Sequence, residues 1–166
     1  MKKILVDKLA RILKNKAKLE KVLKIKITNR GKEIYIGGKP ENEFTAEKVI
    51  ESLNFGFPYS IALELANVEN IFEIINIKDH TPRKDLERIR ARIIGTKGKT
   101  LQTLCNLTKC HFELKNNYVG IIGPPECIKN AQEAIISIIK GSKQSNVYSH
   151  LEKHQPKEPI DLGLRE

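Results

Sequence analysis

The sequence predicts an α+β fold built from two copies of one small module. The main observation is an internal repeat: at an offset of 85 residues, seven identical pairs fall within 17 positions. In each copy a short β-rich run leads through a Gly/Pro turn into an amphipathic helix. The size of the chain is compatible with two modules, because 166 residues with 40% hydrophobic content can fill one core or two small ones. The matching pairs are Ile36/Ile121, Gly38/Gly123, Pro40/Pro125, Glu41/Glu126, Ala46/Ala131, Ile50/Ile135 and Ser52/Ser137.

The second copy shows the order of elements most clearly. A β-rich run predicts a strand over 72–78, and Pro82 is suited to open a helix over 83–94. Leu86, Ile89 and Ile93 share one face of that helix. A break at 95–98 separates it from a second helix. The remaining predicted elements are a helix over 100–107, strands over 111–115 and 118–122, and a helix over 125–140; in the first copy, the strand is predicted over 33–37.

Charge points to an anionic partner. The formal net charge is +10 and the pI is near 9.5, and the charge is unevenly distributed. Residues 1–32 carry a net +10, residues 33–82 a net −6 and residues 83–99 a net +5. Three cysteines form no even disulfide framework, and no apolar run approaches the ~18 residues that span a bilayer. We expect a soluble intracellular protein.

The second basic block surrounds a glycine pair that at first resembles a nucleotide-binding loop. A Walker phosphate loop needs a glycine five positions before Gly98-Lys99-Thr100, where this sequence has Ile93. Such a loop also follows a buried strand, whereas this one follows an arginine-bearing helix. Without the first glycine, the backbone cannot wrap the phosphates with its N–H groups. The sequence therefore argues against an NTPase.

The stretch Ile93-Ile-Gly-Thr-Lys-Gly-Lys-Thr-Leu101 instead resembles the Ile-Gly-x-x-Gly core of the KH domain, whose glycine loop clamps about four nucleotides. Two glycines let the main chain approach phosphates without a Cβ, and a following helix presents N–H groups to them. The resemblance implies two tandem type I (eukaryotic-type) KH domains, each a three-stranded sheet packed against helices. The RNA-binding residues expected from this stretch are Arg92, Ile94, Gly95, Thr96, Lys97, Gly98, Lys99 and Leu101.

A wider resemblance covers roughly residues 2–152. It includes Leu53-Asn-Phe-Gly-Phe-Pro58, Phe72-Glu-Ile74 and Gly141-Ser142, and it points to the archaeal counterpart of the partner-of-Nob-one family of small-subunit ribosome assembly factors. The resemblance implies a non-enzymatic factor that holds single-stranded rRNA near the 3′ end of the small-subunit rRNA. It also implies two protein partners, the endonuclease that trims this end and the alpha subunit of archaeal initiation factor two. The short segment before the first module favours the archaeal form and a cytoplasmic location.

The two modules are expected to differ. We assign residues 1–70 to a degenerate first module, 71–142 to the second module and 143–166 to a partly flexible tail. At the place of the glycine loop the first module reads Lys14-Asn-Lys-Ala17, and four fewer residues precede its turn glycine. The helix after this place should therefore be short. We expect the first module to be structural and electrostatic, and the second to grip the strand.

Other functions find little support in the sequence. Cys105, Cys110 and His111 lack the second ligand pair of a zinc site, and His150 and His154 lack the adjacent glutamate of a zinc protease. We expect no catalytic residues, metal or cofactor. Two alternatives remain open: a general KH regulator of RNA, or a protein-docking adaptor in an RNA-processing complex.

Overall fold

The computed structural model describes residues 1–67 and 69–154, and in these residues it is an α+β fold, as the sequence predicts. Short 3-10 turns occupy Leu63–Ala66, Ile77–His80 and Thr96–Gly98. The helices and strands in chain order are β1 (Lys2–Leu5), α1 (Leu9–Lys14), α2 (Lys16–Leu23), β2 (Ile25–Arg30), β3 (Glu33–Gly38), α3 (Pro40–Phe55), α4 (Tyr59–Ala62), β4 (Ile71–Asn76), α5 (Leu86–Ile94), α6 (Lys99–Thr108), β5 (His111–Lys115), β6 (Tyr118–Gly123), α7 (Pro125–Ile139) and α8 (Gln144–Lys153).

The strands form two antiparallel sheets of three strands each. The order is β1-β3-β2 in the first sheet and β4-β6-β5 in the second, so the last strand of each half is the central one. Ile36 pairs with Lys2 and Ile27, and its repeat partner Ile121 pairs with Glu73 and Phe112. The repeated residues therefore occupy equivalent positions in the two sheets.

The helices that follow the central strands carry the rest of the repeat. Both α3 and α7 begin on a proline at the first helical position, where the missing N–H has no cost. Ala46 and Ile50 of α3 are fully buried, as are Ala131 and Ile135 of α7. Each helix packs its apolar stripe on its own sheet and forms a separate hydrophobic core with it.

One predicted helix boundary is wrong. The structure starts α5 at Leu86, so Pro82 does not open this helix and Arg83 lies before it. The Thr81 hydroxyl accepts a hydrogen bond from the Arg83 N–H at 3.2 Å, and Asp85 has non-helical backbone angles. A local side-chain acceptor of this kind competes with helical hydrogen bonding. The strand before it also ends two residues early, at Asn76, whose side chain accepts from the Lys78 N–H.

The helix connection in the first half is a single residue. Lys14 ends α1 and Lys16 begins α2, so only Asn15 of the segment Lys14-Asn-Lys-Ala17 lies outside a helix. Its amide donates to the Arg11 carbonyl at 2.9 Å. The helix that follows is short, as expected, with eight residues against ten in α6. Most of the length difference between the halves nevertheless lies in the connection itself.

An aromatic cluster joins the two halves. The rings of Phe55, Phe57 and Phe72 lie 5.8–5.9 Å apart, on the side of the second sheet where Phe55 and Phe57 approach Gly120. Gly120 of β6 lies beneath them, and a Cβ there would stand 2.7 Å from Phe55. Glycine is therefore the residue that allows this close approach.

Polar contacts surround the same interface. Lys115 donates to the Asp7 carboxylate at 3.0 Å, and His111 Nε2 lies 3.1 Å from Glu64. The hydrogen bond from Lys115 lowers the pKa of Asp7, whereas burial raises the pKa of Glu113 on the same strand. The two halves are thus tied through β5 by charged groups as well as by aromatic rings.

The C-terminal helix α8 packs on the second half. Val147 and Leu151 are buried in the second core, so only part of its surface faces solvent. Residues 155–166 of the tail that was predicted to be partly flexible lie outside the described residues. No helix in the described part of the chain has the length and apolarity needed to cross a membrane.

Candidate nucleic-acid interface

Two helices hold the glycine loop at the surface. Ile89 and Ile93 anchor α5 in the second core, and Leu104 anchors α6. Between them Thr96 and Lys97 are exposed, while the loop glycines are half-buried. The helix ends are therefore fixed by packing, and the loop between them protrudes into solvent.

Gly95 is required by both backbone angle and space. Its φ is +77°, and a Cβ would lie 2.1 Å from Thr100 Oγ1 and 2.7 Å from the Thr100 backbone nitrogen. Gly98 also has a positive φ, +74°, but a Cβ there would meet nothing within 4 Å. The buried Thr100, which the sequence reasoning did not single out, thus makes the first glycine the more constrained of the two.

The loop presents backbone and charge together. Lys97 and Gly98 both have left-handed angles, and the Gly98 N–H donates to the Gly95 carbonyl at 3.2 Å. Gly98 caps α6 without a side-chain hydrogen bond, and the Lys99 N–H donates to the Thr96 carbonyl. Lys97 and Lys99 are exposed on either side of it. This arrangement can bind an anion through the positive end of α6 and two flexible cations.

Arg92 differs from the other expected binding residues. Its guanidinium donates to the Ile138 carbonyl at 2.8 Å and to the Ser142 carbonyl. These bonds hold α5 against the end of α7 and the link to α8. A phosphate contact by Arg92 would have to use its remaining donors.

The apolar residues beside the loop fall into two groups. Ile94 is 39% exposed and Leu101 is half-buried, so both present surface next to the glycines. Phe112 of β5, by contrast, is buried in the second core. Ile94 and Leu101 therefore remain the apolar residues available to a nucleotide base.

The cysteines and histidines form no second site. Burial raises the pKa of Cys110 to about 12, which makes its thiol a poor metal ligand or nucleophile. Burial also raises the pKa of Cys105 and of Cys127. Within residues 1–67 and 69–154, no three His, Cys, Asp or Glu side chains come together as a metal site would require.

A cavity of about 660 Å³ lies away from the loop. It runs between the edge strands β1 and β4, beside Leu5, Phe72 and Ile74, and no glycine-loop residue lines it. Single-stranded nucleic acid binds in open basic grooves. The glycine loop, with its exposed charge at a helix start, is therefore the better candidate for the interface.

Among known protein families, the match falls on the second half of the chain, which contains the glycine loop. The sequence model of the eukaryotic type KH-domain (KH-domain type I) matches residues 71–156, about half of the chain. The match begins at the first residue of β4 and includes the glycine loop and α8.

Curated relatives and solved structures extend the similarity. A KH domain-containing protein of Methanocaldococcus jannaschii is 29% identical over 113 residues, 68% of this chain and 50% of the relative. The RNA-binding protein PNO1 of Oryzias latipes is 34% identical over 109 residues, 64% of this chain and 45% of the relative. The chain thus spans about half the length of the curated relatives it matches.

The structural similarity covers more of the chain. Dim2p from Pyrococcus horikoshii is 30% identical with a TM-score of 0.85, and the match covers 92% of this chain and 98% of that one. A chain in the structure of the a/eIF2alpha-aDim2p-rRNA complex from the same species is also similar. It is 30% identical with a TM-score of 0.84, and the match covers 92% of both chains.

Proposed function

Because this chain belongs to the family of KH-domain proteins that includes PNO1 and Dim2p, we propose that it is an RNA-binding factor of small-subunit ribosome assembly. The observation that carries the proposal is the loop of Gly95, Thr96, Lys97 and Gly98. It combines exposed cations with main-chain N–H groups at a helix start. Such a site suits a phosphate backbone rather than a catalysed reaction, so we propose a binding function without catalysis.

The proposed architecture is two tandem type I KH domains. The first would span residues 1–70 and lack the glycine loop, the second 71–142, and residues 143–166 would form the C-terminal tail. The equal strand orders and the seven repeated identities support this division. In the first half, the single connecting residue Asn15 leaves no loop to close on a nucleic-acid strand.

The proposed ligand is single-stranded rRNA near the 3′ end of the small-subunit rRNA. Phosphates would lie against the N–H groups at the start of α6, with Lys97 and Lys99 beside them and with bases against Ile94 and Leu101. The chain has five Phe, four Tyr and no Trp. Base contacts would therefore rest on hydrogen bonds and aliphatic packing more than on aromatic stacking.

The proposed partners rest on the similar proteins and, for the endonuclease, on the sequence resemblance. One similar structure is a complex of Dim2p with a/eIF2alpha and rRNA. Relatives from fungi are named pre-rRNA-processing proteins. We propose rRNA, the alpha subunit of archaeal initiation factor two and the rRNA 3′-end endonuclease as partners of this chain.

The double variant Thr96→Asp with Lys97→Asp tests the loop. Both side chains are exposed, so the variant should fold normally while placing two negative charges where the phosphates bind. We expect fluorescence anisotropy with single-stranded RNA to show at least a tenfold loss of affinity. In the parent, contact with three or four phosphates should give a slope of log affinity against log salt of roughly −2 to −3.

A matched control has the same change in net charge. Ser149→Asp with Lys153→Asp alters two exposed residues of α8, and RNA affinity should change less than threefold. Equal losses in the two double variants would contradict the loop assignment. Crosslinking in cell extract followed by sequencing would then separate rRNA from other bound RNA.

A further inference from the structure

Two open strand edges border the cavity between β1 and β4. In the described part of the chain, β1 pairs only with β3 and β4 only with β6, so each strand has one open side. We name the cavity of about 660 Å³ between them the edge cleft. An open strand edge presents a row of N–H and C=O groups to which another extended chain can pair. The walls of the edge cleft therefore suit a polypeptide backbone.

Hydrogen bonding at the strand ends shows which main-chain groups face away from the sheets. The Val6 N–H donates to the Lys32 carbonyl, and the Ile77 N–H donates to the Asn117 carbonyl, both at 2.9 Å. These bonds continue the registers of β1 with β3 and of β4 with β6. Because bonded and outward-facing residues alternate along antiparallel strands, the outward residues follow by counting back along each strand. Those that also line the edge cleft are Lys3, Leu5, Phe72 and Ile74.

Apolar side chains line the edge cleft beside these main-chain groups. Leu5, Ile74 and Tyr118 are all exposed, and the buried Phe55 also contributes to the lining. Ile74 pairs with Gly120 in the register of β4 and β6, so the residue beside it in β6 has no side chain to cover it. Successive side chains of a strand point to opposite faces, so a bound strand can direct alternate apolar residues at this surface.

One carboxylate in the edge cleft has no ion-pair partner. Glu51 lies one helical turn after Glu47 on α3 and forms no ion pair with any residue in 1–67 or 69–154. Burial and the nearby Glu47 charge raise the pKa of Glu51, so its ionised form is disfavoured. A cationic side chain beside Glu51 would relieve this cost, whereas a phosphate group would increase it. The other charged residues of the lining form ion pairs at 2.7–3.0 Å: Lys3, Asp7, Glu47 and Lys115.

We propose that the edge cleft binds an extended segment of a partner protein, which pairs with β4, packs apolar side chains against Ile74 and Tyr118 and places a Lys or Arg beside Glu51. The strand β4 is the longer of the two edges, with six residues against four in β1. Leu5 and Glu51 then contact the segment from the side of the first half. No residue of the glycine loop lines the edge cleft, so this inference does not depend on the proposed function.

The probe is a library of random peptides of about eight residues, the length of one strand, displayed on phage and selected against the full chain. The enriched sequences should alternate apolar residues and contain a Lys or Arg. One of them, made as a fluorescent synthetic peptide, is then titrated by anisotropy against the parent and its variants. Ile74→Arg should weaken its binding at least tenfold, because a bulky charge replaces a central apolar contact.

Val22→Arg is the matched control for Ile74→Arg. Val22 lies on α2, outside the edge cleft, and its side chain is 49% exposed against 50% for Ile74. The same gain of charge should alter the peptide affinity less than twofold. Amide hydrogen exchange provides a second measurement. Saturating peptide should slow exchange of the Ile74 N–H and leave exchange at β5, the opposite edge of the same sheet, unchanged.

Glu51→Gln tests the expected cation of the partner segment. It should weaken binding of the selected peptide about three- to tenfold, but change by less than twofold the affinity of a peptide whose Lys or Arg is replaced by Gln. Glu41→Gln removes the same charge from an exposed position of α3 outside the edge cleft. This control should leave both peptide affinities within twofold of the parent.

Four results would overturn the inference. Enrichment of no common sequence, or equal affinities of the parent and the Ile74→Arg variant for the selected peptide, would remove the peptide site. Self-association of the parent that Ile74→Arg abolishes would assign the edge cleft to a second copy of this chain. Displacement of the selected peptide by an RNA of about six nucleotides would assign it to nucleic acid. Failure of the proposed loop function is a separate result, because the Thr96/Lys97 variant and RNA measure it without the peptide.

Discussion

The two sheets share one topology but differ in what covers them. In the first sheet, β3 alternates buried and half-buried residues, and Tyr35 on its outer face donates to Glu33 at 2.8 Å. In the second sheet, β6 is buried on both faces from Val119 onwards, and the residue that matches Tyr35 in the repeat is Gly120. The same strand pattern thus leaves the outer face of the central strand open in one half and covered in the other.

The difference assigns distinct roles to the halves. The segment after α3 carries Phe57 over the second sheet, so the first half supports the half that contains the glycine loop. The helix connections follow the same division, with a single residue in the first half and a four-residue glycine loop in the second. A repeated module can thus provide support in one copy and, under the proposed function, a binding loop in the other.

Removing the Phe57 ring from the aromatic cluster should have the largest effect on stability. Phe57 is 1% exposed and touches both neighbouring rings of the cluster. Phe57→Ala should lower the free energy of unfolding by about 3–5 kcal/mol, because the site cannot fully collapse around the cavity. Chemical denaturation of the full chain measures this change in the free energy of unfolding. Phe44→Ala, at an exposed ring that contacts Lys48, should cost less than about 1 kcal/mol; equal costs would mean that the cluster does not join the halves.

Alanine substitutions at the two loop glycines should have an intermediate effect on stability. Their comparison shows which glycine is the more constrained. Gly95→Ala places a Cβ against Thr100 at a positive φ and should cost about 2–3 kcal/mol together with most of the RNA affinity. Gly98→Ala meets open space and should cost about 1 kcal/mol from its backbone angle alone. Denaturation and RNA titration of both variants provide the comparison. A Gly98→Ala variant as unstable as Gly95→Ala would show that Thr100 does not constrain the loop.

The charged contacts at β5 should have the smallest effect and depend on pH. Burial raises the pKa of Glu113 in the folded protein, so folding favours its protonated form and bears a cost as pH rises through that pKa. Glu113→Gln should therefore stabilise the protein near pH 7 by less than about 1 kcal/mol after solvent screening, with a smaller gain near pH 4. Denaturant midpoints at the two pH values measure the difference.

Asp7→Asn is the control, because its effect on stability near pH 7 should be opposite to that of Glu113→Gln. The Lys115 hydrogen bond lowers the pKa of Asp7, so its contribution is present above the unfolded pKa and is lost as pH falls through the folded one. This variant should lower stability near pH 7 and approach the parent in acid. Parallel pH profiles for the two variants would contradict these assigned causes.

Sequence reasoning identified most elements and the loop. The period of apolar residues located α5 and α7, and the repeat aligned the two central strands. It placed the start of α5 three residues too early, because proline chemistry suggested a helix start where the Thr81 hydroxyl instead forms a local turn. It grouped Arg92 with the loop, although the carbonyl groups that bind Arg92 lie about 50 residues away in sequence.

The sequence by itself determined the α+β class, the buried stripes and the glycine break, because periodicity and backbone freedom are local properties of the chain. Only the tertiary structure decided that Phe55 and Phe57 cover Gly120, that Thr100 restricts Gly95 and that Glu20 accepts a hydrogen bond from the backbone of β2. These features depend on how the loop and helices are placed against one another and against the sheets. Hydrophobic periodicity predicts which residues are buried, but it does not specify which distant residues they will contact.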